Sequence, residues 1–381
     1  MKKKLLIILF VASVVCPNLV FFLFRGHLDT ANYENRALAA FPAVAQAEDI
    51  FKFPAAFEAF YNDHVPFKNY FVRLNNKINQ KVFGEHSIGD VTIGADNWLF
   101  YTVSKEGEDA LADYQRTNLY TEEESREIAG RLEAVDGYLK EMGTERFHIY
   151  VAPNKESIYP QYMPKSIRVY GQEGSRMERF ADYMAAHSGV GFTWLEPELL
   201  AYKDQYQVYY KYDTHLNNLG SFLISQRMAA DLTGKSLGLD QVTVSQGPVA
   251  IGDMSRMINQ ESSMTDDRDF EINPYYPEVT AQVVRDAGGQ EESFREYASD
   301  SDNERTLLLI GDSYRERVEP FLAKLYRRMI VVHIDSFTPD MLEEYQPDDV
   351  AVITVERNQR YLEDLDVCFG LRERGDSATE P

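Results

Sequence analysis

The chain has 381 residues, enough for one large domain or two moderate ones with a sizeable core. Hydrophobic residues make up 44% and aromatics 13%, mainly 24 Tyr and 22 Phe, a globular composition whose aromatic rings suit both a core and a carbohydrate cleft. The net charge of −22 argues against nucleic acid as a partner, because such binders need basic surface.

Lys2, Lys3 and Lys4 precede residues 5–24, LLIILFVASVVCPNLVFFLF, a run of 20 residues without a charge. That length crosses a bilayer core, and the three lysines favour keeping the start in the cytoplasm. A cleaved signal peptide usually has a shorter apolar region and an A-x-A-like site, which this run lacks. Ser13-Val14-Val15-Cys16 is a poor lipoprotein site. The expectation is an uncleaved, single-pass signal anchor, with Pro17 as a kink and the rest of the chain extracytoplasmic, in the periplasm or at the cell surface. A cleaved leader, the alternative, leaves residues 25–381 in the same place. The two cysteines, Cys16 and Cys368, stand at opposite ends, so the fold should not depend on a disulfide.

Residues 25–90 read as a stem and helical lead-in, in which Phe67, Phe71, Leu74 and Ile78 recur at helical spacing. Residues 91–101, VTIGADNWLFY, predict a hairpin turning at Ala95-Asp96-Asn97. From about residue 120, helices and apolar strands alternate. Thr121 and Glu124 form a capping-box pattern, and Gly143 ends that helix. Strands are expected over 147–153, 190–196, 207–213, 306–312, 329–334 and 349–355, and helices over 175–187, 216–232, 314–326 and 340–345. This alternation predicts an α/β fold, a three-layer α/β/α sandwich around a mainly parallel sheet, over residues 91–370. The polar, acidic stretch 236–303 breaks the rhythm and reads as an insertion or a lobe of loops and hairpins. The tail, residues 371–381, reads as disordered, and its Arg374-Gly375-Asp376 tripeptide as chance.

The candidate nucleophile is Ser313, in LLLIGDSYRERV, where a strand runs through Gly311-Asp312 into a helix. Ligands bind at the carboxyl ends of strands in open parallel sheets. A serine there can expose its hydroxyl and aim its own N–H at a developing oxyanion. An ordinary serine N-cap fits the same three residues. A serine needs a base. Of the seven histidines (27, 64, 86, 148, 187, 215 and 333), only His215 stands at an expected strand end with a carboxylate, Asp213, two residues away. Asp213 could hold the imidazole in one tautomer and stabilise its charged form. Gly252-Asp253-Met254-Ser255 repeats the Gly-Asp opening without a strand leading into it, so Ser255 ranks as a decoy. Asp213 and His215 could also bind a metal, but no further cluster has ligand spacing; no metal and no cofactor is expected.

Six stretches carry a resemblance: NDHVPFKNYF (62–71), VTIGADNWLFY (91–101), VAPNKESIYPQYMP (151–164), YDTHLNNLG (212–220), GDMSRM (252–257) and LLLIGDSYRE (307–316). In this order they resemble the alginate O-acetyltransferase and DHHW family, whose catalytic domains are SGNH-hydrolase-like. The resemblance implies a triad in the order Asp213, His215, Ser313. It further implies transfer of acetyl groups, through an acetyl-serine, to a polysaccharide acceptor, with a multispanning membrane-bound O-acyltransferase as acetyl donor partner. Leu216 stands where the family has Trp, Tyr314 where Phe is usual, Lys68 for Arg and Asn97 for Gly. A polysaccharide acetylesterase, or a non-catalytic glycan-binding or assembly protein, are the alternative readings.

The candidate substrate-binding residues are Lys155, Tyr159, Tyr314, Arg315 and Arg357. Lys155 and Tyr159 follow a strand end and either face the cleft or belong to a structural loop, with Tyr159 packed on Pro160. Arg315 either contacts an anionic sugar or lies on a solvated helix face. Arg357 follows the strand AVITV at another carboxyl end.

Overall fold

The computed structural model describes residues 2–24, 26, 38–44, 46, 49–78, 86–171, 174–287 and 294–373. The uncharged run is a helix, Lys2–Phe24, with Pro17 inside it. Among the described residues it is the one helix long and apolar enough to cross a membrane. Two helices of the lead-in, Asp49–Asp63 and Lys68–Ile78, flank the break before Pro66. Most of the stem and the tail from residue 374, including Arg374-Gly375-Asp376, lie outside the described residues. Cys16 and Cys368 are both free thiols.

A small antiparallel sheet comes next: β1 (Ser87–Ile88), β2 (Val91–Ile93) and β3 (Leu99–Tyr101). Asp96 and Asn97 turn β2 into β3 at φ of 54° and 62°, in the left-handed region that Asn and Asp tolerate best after glycine. A short hairpin, β4 (Ser104–Lys105) and β5 (Glu108–Asp109), leads to the main body. Thr121 and Glu124 form the capping box that starts the helix Glu122–Glu141, and Gly143 leaves it at φ 94°.

The strands that follow are β6 (Arg146–Ala152), β7 (Gly191–Trp194), β8 (Thr243–Val249), β9 (Arg268–Asn273), β10 (Ala281–Ala287), β11 (Phe294–Ser299), β12 (Thr306–Gly311), β13 (Arg328–His333) and β14 (Asp349–Val355). Seven of them form one sheet in the order β10-β11-β13-β12-β14-β6-β7. The five from β13 to β7 are parallel, and β11 and β10 extend the sheet antiparallel. Alternate residues of β12 serve opposite cores, as period-two geometry requires. Leu307 and Leu309 pack with the helices Asn218–Thr233 and Arg315–Leu322. Leu308 and Ile310 pack with the helices Glu122–Glu141 and Arg176–His187. The result is a three-layer sandwich with both sheet faces covered.

One segment differs from expectation. Residues 207–213 are not a strand: Tyr209 makes one antiparallel bridge to Leu216, and the rest is an irregular loop. Its alternation of aromatic and polar residues mimics a half-buried strand, but several of its backbone groups bond to side chains, those of Lys155, Tyr159 and Asp267, and not to a neighbouring strand. The stretch 236–303, expected as an insertion or a lobe of loops and hairpins, holds two antiparallel strand pairs and the short helix Asp253–Met257. β8 pairs with β9, and β10 with β11, which joins the central sheet through β13.

Candidate active site

β12 ends at Gly311, where a side chain would meet the Ile353 carbonyl of β14 at 2.3 Å. Only glycine allows that approach. The next residue, Asp312, is a buried staple. Its Oδ2 accepts from Thr354 Oγ1 at 3.0 Å, Val355 N–H at 2.9 Å and Asn358 Nδ2 at 2.7 Å. Its Oδ1 accepts from Tyr314 N–H at 2.9 Å. Asp312 therefore fixes the turn that leads into the helix Arg315–Leu322, whose start carries no side-chain cap from Ser313 or any other described residue. Among the described residues no acceptor takes the Ser313 N–H, which stays available beside its own Oγ.

Ser313 Oγ lies 2.8 Å from His215 Nε2, and His215 Nδ1 lies 2.7 Å from Asp213 Oδ1. An ionised Asp213 requires the proton on Nδ1, which leaves Nε2 to accept from the serine hydroxyl. Burial pushes the Asp213 carboxyl up, but the hydrogen bond and charge of His215, with the Asp253 amide, outweigh it and hold the group well below the usual carboxylate range. The three side chains form one hydrogen-bonded line across residues far apart in sequence.

The loop that carries Asp213 and His215 is clamped from several sides. Lys155, buried beneath it, donates from Nζ to the carbonyls of Tyr210 at 2.8 Å, Lys211 at 3.0 Å and Asp213 at 2.9 Å. Its ammonium also lies 5.5 Å from the ring centroids of Trp98 and of Phe100, so the hairpin β2–β3 supports the site. Burial pushes this ammonium down to about 8. Asp267 accepts from the amides of Lys211 and Tyr212 at 2.6 and 3.2 Å. Tyr314, fully buried, donates to the Thr214 carbonyl at 3.1 Å, with its ring centroid 5.6 Å from that of His215.

The other candidates also sit inside the fold. Tyr159 is buried; its phenol oxygen accepts from Val208 N–H at 2.9 Å and its ring lies 4.6 Å from Trp98. Arg315 is not on a solvated face: it is 2% exposed and donates to the Asp312 carbonyl at 2.9 Å, under the serine turn. Arg357 is buried between the rings of Tyr101 and Tyr314, at 5.3 and 6.0 Å, with Glu108 at 3.5 Å. Leu216 is fully buried in the core. Of these, Lys155, Tyr314 and Arg315 touch the elements that carry the line; Tyr159 supports it indirectly, through Val208, Trp98 and the Lys155 carbonyl.

Sequence reasoning passed over Asp253. The Gly-Asp repeat packs directly against Asp213: a side chain at Gly252 would meet the Tyr212 carbonyl at 1.9 Å. Asp253 N–H donates to Asp213 Oδ2 at 2.9 Å, and its carboxylate accepts from the Thr214 hydroxyl at 2.6 Å. Asp213, His215 and Asp253 are also the described group whose ligand atoms lie close enough to share a cation, within 4.8 Å. Each of those atoms is already engaged by a hydrogen bond within the loop.

The probable alginate O-acetylase AlgJ of Pseudomonas syringae pv. tomato is 26% identical over 191 residues, 49% of this chain and 44% of that protein. The chain thus spans under half the length of that relative. A DHHW family protein from Eubacterium siraeum shares the fold at TM-score 0.52 and 15% identity, over 74% of this chain and 96% of that one. Bacillus cereus PatB1 superposes at TM-score 0.49 and 14% identity, over 71% of this chain and 96% of that one. Residues 91–336, more than half of the chain and the span holding all three members of the hydrogen-bonded line, match the family described as SGNH hydrolase-like domain, acetyltransferase AlgX, and the chain belongs to that family.

Proposed function

We propose that this chain is an extracytoplasmic O-acetyltransferase that acetylates a cell-surface or secreted polysaccharide through an acetyl-Ser313 intermediate, with residues 91–370 as its catalytic domain. The observation that carries the reading is the unbroken line Asp213–His215–Ser313 at 2.7 and 2.8 Å. In the first step Ser313 Oγ attacks the carbonyl carbon of an acetyl ester, while His215 Nε2 takes the hydroxyl proton. The Ser313–acetyl bond forms, and the donor alkoxide leaves with the proton from His215. In the second step a sugar hydroxyl gives its proton to Nε2 and attacks the acetyl-serine, and Ser313 Oγ leaves and is reprotonated. Asp213 balances the imidazolium charge in both steps. The Ser313 N–H serves the oxyanion.

The family membership and the name of the AlgJ relative support acetyl transfer to a polysaccharide. The helix Lys2–Phe24 suits a domain held at a membrane, where a membrane-bound O-acyltransferase would present the acetyl donor. The test is intact-protein mass spectrometry of the full chain in detergent with an activated acetyl ester. An acetyl adduct on Ser313, lost in Ser313→Ala and His215→Ala, is expected. Full turnover by a folded Ser313→Ala protein overturns the reading.

A further inference from the structure

Beside the hydrogen-bonded line, on the Asp213 side, lies a cleft of about 300 Å³ lined by Tyr210, Asp213, Val249, Ile251, Asp269 and Arg317 among others. That volume is at the small end of ligand pockets and has room for one sugar ring. We propose that this cleft is the acceptor subsite and that it takes an uncharged sugar residue rather than a uronate. The proposal rests on the acetyl-transfer reading and narrows its substrate class.

The chemistry of the lining sets the choice. Asp213 is saturated by His215 and the Asp253 amide. Asp269 Oδ1 accepts from the amides of Asn218 and Phe270, each at 2.8 Å, and Tyr210 lines the cleft beside it. Arg317 differs. It stands one helical turn beyond Ser313, and among the described residues its side chain makes no hydrogen bond or ion pair; its Nε is buried without an acceptor. A buried donor without a partner is costly, so the open demand of the cleft is for oxygen acceptors. Sugar hydroxyls, a ring oxygen or an N-acyl carbonyl supply them.

A carboxylate would supply acceptors too, but charge argues against it. Two carboxylates, Asp213 and Asp269, already face one guanidinium. A uronate would add a third negative charge, on a chain whose net charge is −22 and repels polyanions at long range. On the remaining wall Val249 and Ile251 are 46% and 49% exposed, an apolar strip on which the C–H face of a pyranose can lie.

The test uses the full chain carrying Ser313→Ala, in detergent at about 150 mM salt so that screening is physiological. It is titrated by calorimetry with neutral β-linked N-acetylglucosamine oligomers, neutral glucan oligomers and galacturonate oligomers of equal length. A neutral oligomer should bind, and the uronate at least about tenfold more weakly. Arg317→Ala and Arg317→Lys should each weaken neutral binding about tenfold, the loss expected for a charged donor, with unchanged circular dichroism. Tighter binding of the uronate, neutral binding indifferent to both Arg317 variants, or no binding of either class overturns the proposal. The acetyl adduct on the unmutated chain is scored separately. An adduct without neutral-sugar binding defeats this subsite alone. Arg317-dependent sugar binding without an adduct upholds the cleft and defeats the acetyl-transfer reading.

Discussion

Asp253 braces Asp213 from behind: the Asp253 amide donates to Asp213 Oδ2 at 2.9 Å, while Asp213 keeps Oδ1 for the imidazole. The Asp253 carboxylate lies 3.6 Å from His215 Nδ1 and holds the Thr214 hydroxyl. Asp253→Asn keeps the amide but removes that negative charge. Turnover of an activated acetyl ester should fall about tenfold, or about 1.4 kcal/mol of barrier. Parent turnover in a folded Asp253→Asn protein would contradict this role.

Lys155 is the hub of the loop that holds Asp213 and His215. Lys155→Met keeps similar bulk but leaves three carbonyls without their donor. Loss of such bonds should cost about 2–4 kcal/mol of stability, measured by urea denaturation. The rate of Ser313 acetylation should drop more than about tenfold, since Asp213 then loses its fixed position. Wild-type acetylation rates in a folded Lys155→Met protein would contradict this role.

Gly252→Ala tests the packing of the second Gly-Asp pair. Its Cβ would meet the Tyr212 carbonyl at 1.9 Å, a backbone contact that no rotamer change relieves. The Asp213 loop must shift, so stability should drop by about 1–3 kcal/mol, the range for overpacking. Acetyl-serine formation should fall in parallel. A crystal structure of the variant with an unmoved loop would refute the argument.

Glu156 gives a pH signature independent of catalysis. It is 2% exposed, and burial pushes its carboxyl up to about 8, despite the opposing pull of a backbone hydrogen bond and Arg357. A carboxyl whose folded value is raised contributes stability fully below its unfolded value of about 4.3, and loses it as pH rises through the folded value. Glu156→Gln should therefore match the parent near pH 4.5 and melt higher above pH 8, by at least about 2 °C. Equal melting temperatures at both pH values would remove the claim.

The apolar strands were legible because each is a short run of branched or aromatic residues, and β12 announces its own end with Gly311-Asp312. The Asp213, His215 and Ser313 set was legible because two members share one loop and the third sits at a strand end. The loop 207–213 was misread because Val208, Tyr210 and Tyr212 alternate as a strand would. The bonds that fix it come from Lys155, more than fifty residues upstream, and Asp267, more than fifty downstream. Asp253 escapes sequence reasoning for the same reason: nothing near it in sequence shows that its amide meets Asp213. Arg315 looked solvated from its place among charged neighbours, yet it turns inward to the Asp312 carbonyl. Local pattern reports period and breakers; it does not report which distant side chain satisfies a backbone group.

Asp213 and His215 share a loop, whereas Ser313 belongs to the end of a sheet strand stapled to its neighbour by Asp312. Any displacement of the loop therefore carries the acid and base together and falls on one span, the 2.8 Å between Nε2 and Oγ. That span is the one joint of the line between two separately anchored pieces of the fold, so the accuracy of the whole relay depends on how firmly Lys155 and Asp312 each hold their side of it.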